Sequence, residues 1–516
     1  MTVVPDGYSL SAVVDHWSIV QPNHPAILTD TVMLTYSDWA ALSGRLAVRL
    51  SARGLRPGDR ALYLGRNRAA HPVIMAALSR TRIAIVGANW RLDARELAYI
   101  LSDAGPRIAF VDPEFSATFK SACETASTSP EVVLLDGADG LDSLRDWSRN
   151  APLLPLPGPP GLDDIAALNY TSGTTGQPKG VIVKNSQLGQ YLARPNPVPT
   201  STETVFLIAT PIFHVAGTCL QLAVSYRGGT IVPLPDADPV NVSAAIERHR
   251  VTDTMLVPAQ IQFLLAEPTA TSDSMKSLRR LQYGASPISL PVLEHATSRF
   301  PDLELCQAYG LSETVGPITY LGPEDHRRGG EILRSAGRIA TGIDIRIVDP
   351  DTSVDRPPGQ IGEVWCRSDQ NCAGYWGRPA ENATLFSGLW LRTGDLGYLR
   401  EGYLYLTARM NDLIISAGEN IYASEVEAVL VQVDGVSEAC VVGIPDRRWG
   451  ETVVAALVPK PGAKLAPRLT ITACRERLAH YKCPTAVKVV DELPRNATGK
   501  VLRHRVGSWF EPRQPP

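Results

Sequence analysis

One short stretch of the chain combines bare backbone, small hydroxyl groups and a single cation. It reads YTSGTTGQPKGV at residues 170–181 and sets Lys179 behind a run of serine, threonine and glycine. Few of these side chains can be buried, so packing in a core explains the stretch poorly. Backbone N–H groups of a glycine-rich loop can surround phosphate oxygens, while hydroxyls and an ammonium group add donors and charge. The stretch therefore predicts a phosphate-binding loop.

Two common kinds of phosphate loop do not fit this stretch. A Walker loop needs Gly-Lys-Ser/Thr after its glycines, and that triplet does not follow Gly173 or Gly176. A kinase glycine loop is followed by HRD and DFG elements, and neither occurs further along the chain. A mobile surface turn is the remaining alternative, and the specific order of the residues disfavours it.

Several further segments with polar and aromatic residues follow the loop. They are PIFHVAG at 211–217, YGASPI at 283–288, QAYGLSE at 307–313, WLRTGDLG at 390–397, ARMNDLIISAGENIYASEVE at 408–427, DRRWGE at 446–451 and RNATGK at 495–500. Together with the loop, in this order, they resemble the motifs of the adenylate-forming superfamily, which includes acyl- and aryl-CoA synthetases, luciferases and peptide-synthetase adenylation domains. The resemblance covers nearly the whole length of the chain, and it is closest to the acid–CoA ligase branch.

The resemblance implies an ATP-dependent ligase that works in two steps. A carboxylate attacks the α-phosphorus of Mg-ATP to give an acyl-adenylate and pyrophosphate, and the thiol of coenzyme A then displaces AMP. The implied ligands are therefore a small-molecule carboxylic acid, ATP, Mg²⁺ and coenzyme A as co-substrate. Since no covalent enzyme nucleophile is needed, catalysis would depend on positioning and charge stabilisation. Aryl, medium-chain fatty and polycyclic acids all remain open as substrates.

The same resemblance assigns a group of residues to ATP and AMP. Tyr309 would stack on adenine, Asp395 would accept hydrogen bonds from both ribose hydroxyls, and Arg409 would contact ribose or phosphate. Glu313 would hold Mg²⁺, a hard cation that takes oxygen ligands. The full set of expected ATP and AMP contacts is Thr171, Ser172, Gly173, Thr174, Thr175, Lys179, Gly284, Ala285, Ser286, Tyr309, Gly310, Ser312, Asp395 and Arg409.

The implied catalytic set consists of Lys500, His214 and Glu313. Lys500 would lie between the substrate carboxylate and the α-phosphate, which repel each other, and would lower the barrier where charge develops. His214 would border the acyl pocket together with Phe213 and Tyr283, and would orient the carboxylate. Judged by residue type alone, a histidine satisfied inside the core is nearly as good an explanation of His214.

The implied hinge and coenzyme A contacts lie towards the C-terminus. Asn411 is the hinge about which a small domain would rotate between the two steps, and Gly418, Glu419 and Trp449 are the expected CoA contacts. A buried Trp449 is the alternative to an exposed ring that stacks on the CoA adenine. The chain departs from the family at Ala408 and Ala417, where glycine is usual, and at Asn411, where Asp or Lys is usual. Because alanine restricts the backbone and adds a methyl group, we hypothesise that the two half-reactions are unequally efficient.

The order of the predicted elements indicates an α/β fold. Helical patterns, as at 36–53 and 93–103, alternate with strand-like runs, as at 107–112, 131–136 and 230–234, which favours layered sheets with mainly parallel pairing. Two further strands and helices at 424–433 and 471–480 predict a small α+β unit near the end. We predict a large N-terminal AMP-binding domain at 1–408 and a small mobile C-terminal domain at 409–516.

Composition excludes several classes of partner. A formal net charge of -3 gives no reason to expect nucleic acid, and the basic cluster at 326–328 predicts a solvated loop. The apolar stretches are too short to span a bilayer, so no integral membrane association is expected. The N-terminus lacks a signal-peptide pattern, and the eight cysteines are scattered singly; both features favour a reduced, cytoplasmic protein. The sequence does not indicate an oligomeric state.

Two other functions remain as alternatives to the acid–CoA ligase. One is an adenylating enzyme that passes the acyl group to a non-CoA acceptor, such as a carrier protein or an amine. The other is a nucleotide-binding relative that has lost activity. The presence of Lys179, Glu313, Asp395, Arg409 and Lys500 argues against the inactive relative.

Overall fold

The computed structural model describes residues 8–137, 139–150, 155–171, 177–416, 419–446, 448–495 and 501–510. The chain divides into two compact units. The first contains Met1–Asp344 and Cys366–Leu391, and the second contains Ile345–Trp365 and Arg392–Pro516. The predicted domain boundary between residues 408 and 409 falls inside the second unit and stays a prediction. Helices and strands alternate through the first unit, which confirms the predicted α/β class.

Helices lie in both units. In chain order they are α1 (Leu10–Val20), α2 (Tyr36–Ala52), α3 (Ala70–Thr81), α4 (Ala94–Ala104), α5 (Ser116–Ala126), α6 (Leu141–Ser148), α7 (Asn185–Ala193), α8 (Val215–Tyr226), α9 (Pro239–His249), α10 (Pro258–Ala266), α11 (Leu290–Arg299), α12 (Pro323–Arg328), α13 (Pro379–Leu385), α14 (Ala423–Leu430), α15 (Pro467–Arg475) and α16 (Arg503–Ser508).

The strands are mostly short. In chain order they are β1 (Pro25–Leu28), β2 (Met33–Thr35), β3 (Arg60–Leu64), β4 (Ala84–Gly87), β5 (Ile108–Val111), β6 (Glu131–Leu134), β7 (Ile165–Thr171), β8 (Lys179–Lys184), β9 (Val205–Ile208), β10 (Thr230–Pro233), β11 (Asp253–Leu256), β12 (Arg280–Gly284), β13 (Glu304–Leu311), β14 (Gly316–Leu321), β15 (Gly337–Ile339), β16 (Asp344–Val348), β17 (Gly362–Arg367), β18 (Phe386–Ser387), β19 (Trp390–Arg400), β20 (Tyr403–Arg409), β21 (Leu413–Ser416), β22 (Glu419–Tyr422), β23 (Val436–Asp446), β24 (Gly450–Pro459) and β25 (Ala486–Val489).

One sheet of the first unit has the strand order β6-β5-β3-β4-β7-β8. Its strands pair in parallel except for the β7–β8 hairpin, which is antiparallel. Alternate residues of β3 enter different cores: Ala61 and Tyr63 pack with α2 and α3, whereas Leu62 and Leu64 pack with α4 and α5. A sheet covered by helices on both faces explains the nearly continuous apolar runs of its strands.

The second sheet of this unit contains the strands that matter most for the site. Its order within the unit is β15-β14-β13-β12-β11-β9-β10-β1-β2. The strands β10, β9, β11, β12 and β13 pair in parallel, and β14 turns back antiparallel to β13. Because β10 and β11 lie on opposite sides of β9, the chain reverses its direction of winding there, which is where open α/β sheets form ligand crevices.

The two predicted helices of the first unit, α2 and α4, each begin with a capping box. Thr35 and Asp38 form a capping box at the start of α2, and Asp93 and Glu96 form another at the start of α4. Each box satisfies backbone N–H groups that the helix itself cannot pair. The predictions at 36–53 and 93–103 are thus confirmed to within one residue.

A small sheet in the second unit confirms the predicted α+β segment. Its order is β22-β21-β24-β23, with β25 parallel to β24. Helix α14 matches the prediction at 424–433, but the prediction of a helix at 471–480 was wrong in its position. The helix α15 starts at Pro467, whose fixed φ suits a first turn, and ends at Arg475. Residues 480–482 form a separate 3₁₀ turn.

The prediction of a solvated loop at 326–328 was wrong. These residues belong to α12, and the His326 imidazole packs edge-on against the Tyr283 ring, with 5.6 Å between the ring centroids. The imidazole Nε2 lies 2.8 Å from the Tyr283 hydroxyl, and Nδ1 lies 2.8 Å from the Gly322 carbonyl oxygen. A pattern based on charge alone did not show that the histidine faces inwards while the arginines face out.

The cysteines behave as small apolar residues. All eight are free thiols, and all except Cys123 are buried. Burial raises the pKa of the Cys219 thiol to about 12, so it stays protonated at neutral pH. Within the described ranges, the helices are all too short or too polar to cross a bilayer.

A pair of Gly→Ala changes tests the packing of the first unit. Gly337 has φ +96° and its backbone faces the Tyr320 carbonyl, so an added Cβ would overlap that group. Gly44 lies within α2, and an added Cβ there meets no atom within 4 Å. We expect Gly337→Ala to destabilise the protein by about 2 kcal/mol or more, and Gly44→Ala to stabilise it by about 1 kcal/mol. Calorimetric melting of both full-length variants measures this, and equal melting temperatures would contradict it.

Candidate functional site

The candidate site of the first unit lies at one edge of the second sheet. Parallel strands present their carboxyl ends at the same edge, so the loops that follow β9, β12 and β13 lie side by side. These loops carry, in that order, the His214 segment, the Ala285 turn and the Glu313 turn. The structure thus brings together three of the motifs that the sequence places far apart.

The expected adenine segments lie on neighbouring strands. Gly284 ends β12 and pairs with Ala308 of β13, and an added Cβ at Gly284 would overlap the Ala308 carbonyl oxygen. Ala285 then adopts φ 65°, a left-handed conformation that is uncommon outside glycine. The turn therefore leaves the strand sharply, with Ala285 exposed and Ser286 half-buried. Such a turn can present backbone groups to a flat ring.

Tyr309 and Gly310 lie near the end of β13, opposite β14. Tyr309 pairs with Thr319, and a bulge follows it before Gly310 pairs with Pro317. An added Cβ at Gly310 would overlap the Gly316 carbonyl oxygen. Glycine is therefore required here by the close approach of the two strands, independently of any ligand.

Ser312 and Glu313 lie in the tight turn that joins β13 to β14. Thr314 holds this turn, because its hydroxyl accepts from the Leu311 N–H at 2.8 Å and donates to the Gly316 carbonyl at 2.8 Å. The next residue, Val315, is fully buried and has φ 56°. A β-branched residue in this conformation is strained, and strain of this kind concentrates at functional sites.

Lys179 and Thr171 flank the predicted phosphate-binding loop. They pair directly at the end of the β7–β8 hairpin where the chain passes from β7 to β8. Ser172, Gly173, Thr174 and Thr175 lie outside the described residues. Lys179 is half-buried, and its ammonium nitrogen lies 5.3 Å from the centroid of the Tyr375 ring.

Tyr375 joins the lysine to the Glu313 turn, and the sequence analysis missed it. Its hydroxyl donates a hydrogen bond of 2.7 Å to Oε1 of Glu313. The signal available in the sequence was the segment AGYWG, two aromatic residues between glycines. That segment contains no ionisable group of the usual catalytic kinds, and its distance from the other motifs along the chain concealed its place beside them.

Glu313 is the residue of this site suited to a divalent cation. Within the ranges that the structure covers, no group of three or more His, Cys, Asp or Glu side chains could hold a metal by itself. Mg²⁺ commonly takes one or two carboxylates and completes its shell with water and substrate phosphates. A single carboxylate next to a predicted phosphate loop fits that pattern.

The His214 segment is held in place by Asn67, a second residue that the sequence analysis missed. The Asn67 amide donates to the carbonyls of Ile208 and Thr210 at 2.8 and 3.1 Å, and its oxygen accepts from the Ile212 N–H at 3.1 Å. A buried amide with three partners fixes the loop between β9 and α8. His214 follows as the residue that precedes the first turn of α8.

The His214 side chain is half-buried with its Nε2 atom shielded from solvent, and its imidazole is neutral at neutral pH. Burial, with a smaller contribution from the positive charge of Arg91, lowers its pKa to about 4. Its Nε2 is a buried polar atom with no hydrogen-bond partner in the described structure. A histidine satisfied inside the core would have a partner, so the geometry favours the functional explanation of this residue.

Two residues assigned to the acyl pocket have well-defined neighbours. Phe213 is buried and its ring centroid lies 4.4 Å from that of His214. Tyr283 is fully buried in the core beside α11, and its hydroxyl contacts His326 as described above. Both assignments to an acyl pocket stay predictions.

The second unit brings the two expected ribose-side residues together. Asp395 of β19 pairs across the strands with Arg409 of β20, and Nε of Arg409 lies 2.9 Å from Oδ1 of Asp395. The carboxylate is almost fully buried, and the Asp395 N–H donates to the Thr393 hydroxyl at 3.0 Å. The arginine thus compensates a buried negative charge beside which hydroxyl groups can bind.

The hinge residue Asn411 lies in a 3₁₀ turn, Met410–Asp412, immediately after β20. Arg503 ties this turn to the small sheet: its guanidinium lies 3.4 Å from the Asp412 carboxylate and contacts both oxygens of Glu427 at 2.5 and 3.0 Å. Gly418 and Lys500 lie outside the described residues, and Glu419 begins β22.

Trp449 is exposed, which excludes the alternative of a buried ring. Its side chain is 44% accessible, and the Arg448 guanidinium carbon lies 4.5 Å from the ring centroid. The N–H groups of both residues donate to Asp446 at 2.8 and 2.9 Å, so the turn that carries the ring is fixed. An arginine beside an exposed indole provides both a stacking face and a cation for a phosphate-bearing ring system.

Two family models match this chain. A family model described as AMP-binding enzyme matches residues 14–376, and one described as AMP-binding enzyme C-terminal domain matches residues 425–500. The first match spans more than half of the chain and contains every predicted site residue of the first unit.

Curated relatives and solved structures match over nearly the full length. The fatty acid–acyl-carrier-protein ligase ScoC of Streptomyces coeruleorubidus is 34% identical over 497 residues, covering 95% of this chain and 94% of the relative. Feruloyl-CoA synthase of an Amycolatopsis species is 34% identical over 503 residues, covering 95% and 97%. The structure of o-succinylbenzoate-CoA synthetase (MenE) from Bacillus subtilis with the acyl-adenylate intermediate OSB-AMP is similar with a TM-score of 0.82 at 30% identity, covering 98% and 99%.

The charge state of His214 gives a test of the site. Because its pKa is about 4 rather than the ordinary 6.5, the imidazole should stay neutral at pH 6. The unfolded chain would take up a proton between pH 6.5 and 4 while the folded chain does not. This difference in proton uptake therefore contributes about 3 kcal/mol to the free energy of unfolding above pH 6.5. The contribution is lost as the pH falls towards 4.

NMR of ¹³C-labelled histidine measures this directly, with the His214 signal assigned as the one absent from His214→Asn. The buried His71, which lies 3.3 Å from the Gln221 amide oxygen and whose pKa burial also lowers to about 4, is the matched reference. Protonation of His214 near pH 6.5 would contradict the shielding of its imidazole from solvent.

Proposed function

Because this chain belongs to the AMP-binding enzyme family, we propose that it is an ATP-dependent acid–CoA ligase. The acid's carboxylate oxygen attacks the α-phosphorus of ATP and expels pyrophosphate. The thiol of coenzyme A, losing its proton, then attacks the carbonyl carbon of the acyl-adenylate and expels AMP. The observation that supports the proposal is the contact of Tyr375 with both Glu313 and Lys179, because it brings a carboxylate close to the cation that follows the glycine-rich loop in the sequence.

The residues of the first unit account for binding of the triphosphate. Lys179 and the loop at 172–176 supply positive charge and donors to the phosphates. Glu313 would hold Mg²⁺, which, when bound with ATP, neutralises phosphate charge and fixes the orientation of the chain of phosphates. Tyr309 and the turn at Gly284, Ala285 and Ser286 receive the adenine, and Ser312, in the turn that follows β13, is a further ATP contact.

The acid enters beside His214. A neutral imidazole can donate one N–H to a carboxylate oxygen without adding a charge that would bind the ground state too tightly. Since its Nε2 is buried with no partner in the described structure, an incoming polar oxygen would restore a hydrogen bond that the protein itself does not make.

The residues of the second unit account for the ribose and for the reacting centre. Asp395, paired with Arg409, accepts the ribose hydroxyls, and Arg409 can reach a phosphate or ribose oxygen. Lys500 lies between the acid and the α-phosphate during the first step and stabilises the charge that gathers there. Rotation of a small domain about Asn411 would then bring Gly418, Glu419 and Trp449 into use for the thiol step.

A carrier protein is the second candidate acceptor, and one observation favours it. The relative ScoC, which matches over nearly the whole chain, is named as a ligase for an acyl-carrier protein. The exposed Trp449 with Arg448 favours coenzyme A, because a carrier-bound pantetheine has no adenine to stack. We therefore place coenzyme A first.

An acid panel tests the reaction. We expect AMP release that depends on both the acid and coenzyme A, with aryl, medium-chain fatty and polycyclic acids compared side by side. Lys500→Ala should lower the rate of pyrophosphate exchange by on the order of 100-fold or more, because the charge at the reacting centre loses its cation. Lys488→Ala, a change at an exposed lysine of β25, is the matched control. A protein that only binds nucleotide would show no AMP release and no difference between the two variants.

Separate assays of the two half-reactions test the acceptor and the hinge. We expect Trp449→Ala to raise the KM for coenzyme A about tenfold, the usual worth of one stacked base, and to leave pyrophosphate exchange unchanged. Trp449→Phe should restore most of the affinity.

With Ala417 in place of the usual glycine, thioester formation from synthetic acyl-adenylate should be the slower half-reaction.

Comparable rates in both halves would remove the hypothesis about Ala417. If acyl transfer to a carrier protein is fast and is unaffected by Trp449→Ala, the acceptor is a carrier protein and not coenzyme A.

A further inference from the structure

Residues 370–376, here called the bridging segment, contact the Glu313 turn and β8 at the same time. At one end, the Gln370 amide donates to the Thr314 carbonyl at 3.0 Å, and the Cys372 N–H donates to the Glu313 carbonyl at 2.8 Å. At the other end, the segment pairs with β8 as a short antiparallel edge, with Tyr375 opposite Val181. The bridging segment is therefore a physical link between the two sheets at the candidate site, in addition to Asn67.

The backbone of Tyr375 is fixed by several hydrogen bonds. The Ile182 N–H donates to the Gly374 carbonyl at 2.9 Å, and the Trp376 N–H donates to the Gly180 carbonyl at 2.8 Å. The Asn382 side-chain amide of α13 bonds to both backbone groups of Tyr375: its oxygen accepts from the Tyr375 N–H at 2.6 Å, and its nitrogen donates to the Tyr375 carbonyl at 2.9 Å. With the backbone held on both sides, the ring has little freedom to move away from its neighbours.

The side chain of Tyr375 uses this fixed position to contact two charged groups. Its hydroxyl donates to Oε1 of Glu313 at 2.7 Å, and its ring lies 5.3 Å from the Lys179 ammonium nitrogen. A hydrogen bond to one carboxylate oxygen fixes the rotation of the carboxylate. The face of the ring attracts the ammonium group and restricts a long, flexible side chain.

We propose that Tyr375 is a positioning residue, which orients the Glu313 carboxylate towards a divalent cation and the Lys179 ammonium towards the phosphates of ATP. The proposal rests on the function proposed above, since it needs a nucleotide and its cation at this site. The same positioning role accounts for the strained backbone of Val315 in the Glu313 turn. The hydrogen bonds from the bridging segment hold this turn in its costly conformation.

A purely structural role for Tyr375 would also account for its hydrogen bond. In that case the phenol merely satisfies a half-buried carboxylate, and removing it would change stability without changing how metal binds. The two roles differ in one expectation. Removal of the hydroxyl alone lowers the affinity for the metal if Tyr375 is a positioning residue, and leaves that affinity unchanged if its role is purely structural.

The experiment uses the full-length protein, Mn²⁺ in place of Mg²⁺, and ATP without any acid, so that no turnover occurs. Electron paramagnetic resonance measures the affinity of the protein–ATP complex for Mn²⁺. We expect Tyr375→Phe to weaken Mn²⁺ binding by about tenfold or more, the usual cost of losing a group that orients a metal ligand. ATP binding in the presence of EDTA should be nearly unchanged, because the ring under Lys179 is kept.

Tyr36→Phe is the matched control for the loss of one buried phenol hydrogen bond. The Tyr36 hydroxyl donates to the Gly229 carbonyl at 2.8 Å, away from the bridging segment. This variant should lower the melting temperature as much as Tyr375→Phe does, or more, and leave Mn²⁺ affinity unchanged. A fall in Mn²⁺ affinity of the same size in both variants would overturn the proposal.

A double-mutant cycle with Glu313→Gln separates failure of this inference from failure of the proposed function. If Tyr375 acts through Glu313, Tyr375→Phe should have no further effect on Mn²⁺ affinity in the Glu313→Gln background. If Glu313→Gln weakens Mn²⁺ binding but Tyr375→Phe does not, the positioning role is overturned and the metal assignment stands. If neither changes it, the assignment of Glu313 to the metal fails as well.

Tyr375→Leu tests the second half of the proposal. This change removes the ring as well as the hydroxyl, so the Lys179 ammonium loses its cation–π partner. We expect ATP affinity in EDTA to fall about threefold relative to Tyr375→Phe, the scale of a cation–π contact at a partly exposed site. Equal ATP affinities in the Phe and Leu variants would overturn the role of the ring.

Discussion

Parallel hydrogen bonding among β9, β11, β12 and β13 is the constraint on which the candidate site of the first unit depends. It forces the His214 loop, the Ala285 turn and the Glu313 turn to one edge, although long helices separate them along the chain. Lys179 belongs to the other sheet, so this constraint alone does not complete the site. The bridging segment supplies what is missing, because it pairs with β8 and also bonds to the Glu313 turn.

Most of the fold and the outline of the site could be predicted from the sequence, because they depend on local patterns. Helical patterns predicted α2 and α4, and the order of the motifs singled out Lys179, Glu313 and Asp395. What escaped prediction depends on contacts between distant segments. Tyr375 and Asn67 carry no charge, and their partners are backbone or carboxylate groups far along the chain. The inward-facing His326 escaped for the same reason, whereas the start of α15 at Pro467 is a local signal that the prediction overlooked.

Two titratable residues assigned to the site, Asp395 and His214, are accommodated by the fold in different ways. The buried Asp395 carboxylate has the Arg409 guanidinium beside it, which compensates its negative charge. The half-buried His214 imidazole, close to the positive Arg91, stays neutral instead. The same distinction suits the chemistry proposed: a ribose needs a permanent acceptor, whereas an anionic acid next to anionic phosphates needs a donor that does not bind it too strongly in the ground state.

The first unit is discontinuous in sequence, since it ends at Asp344 and resumes at Cys366. During synthesis, the Glu313 turn leaves the ribosome well before its partner Tyr375, which lies 62 residues later. At ordinary elongation rates that interval lasts roughly 3 to 12 s. Throughout it, the strained turn and the edge of β8 lack the bonds that hold them in the finished molecule. A nascent chain of this protein therefore cannot acquire its nucleotide-binding arrangement in step with translation, and must keep an unfinished sheet soluble until the later segment arrives.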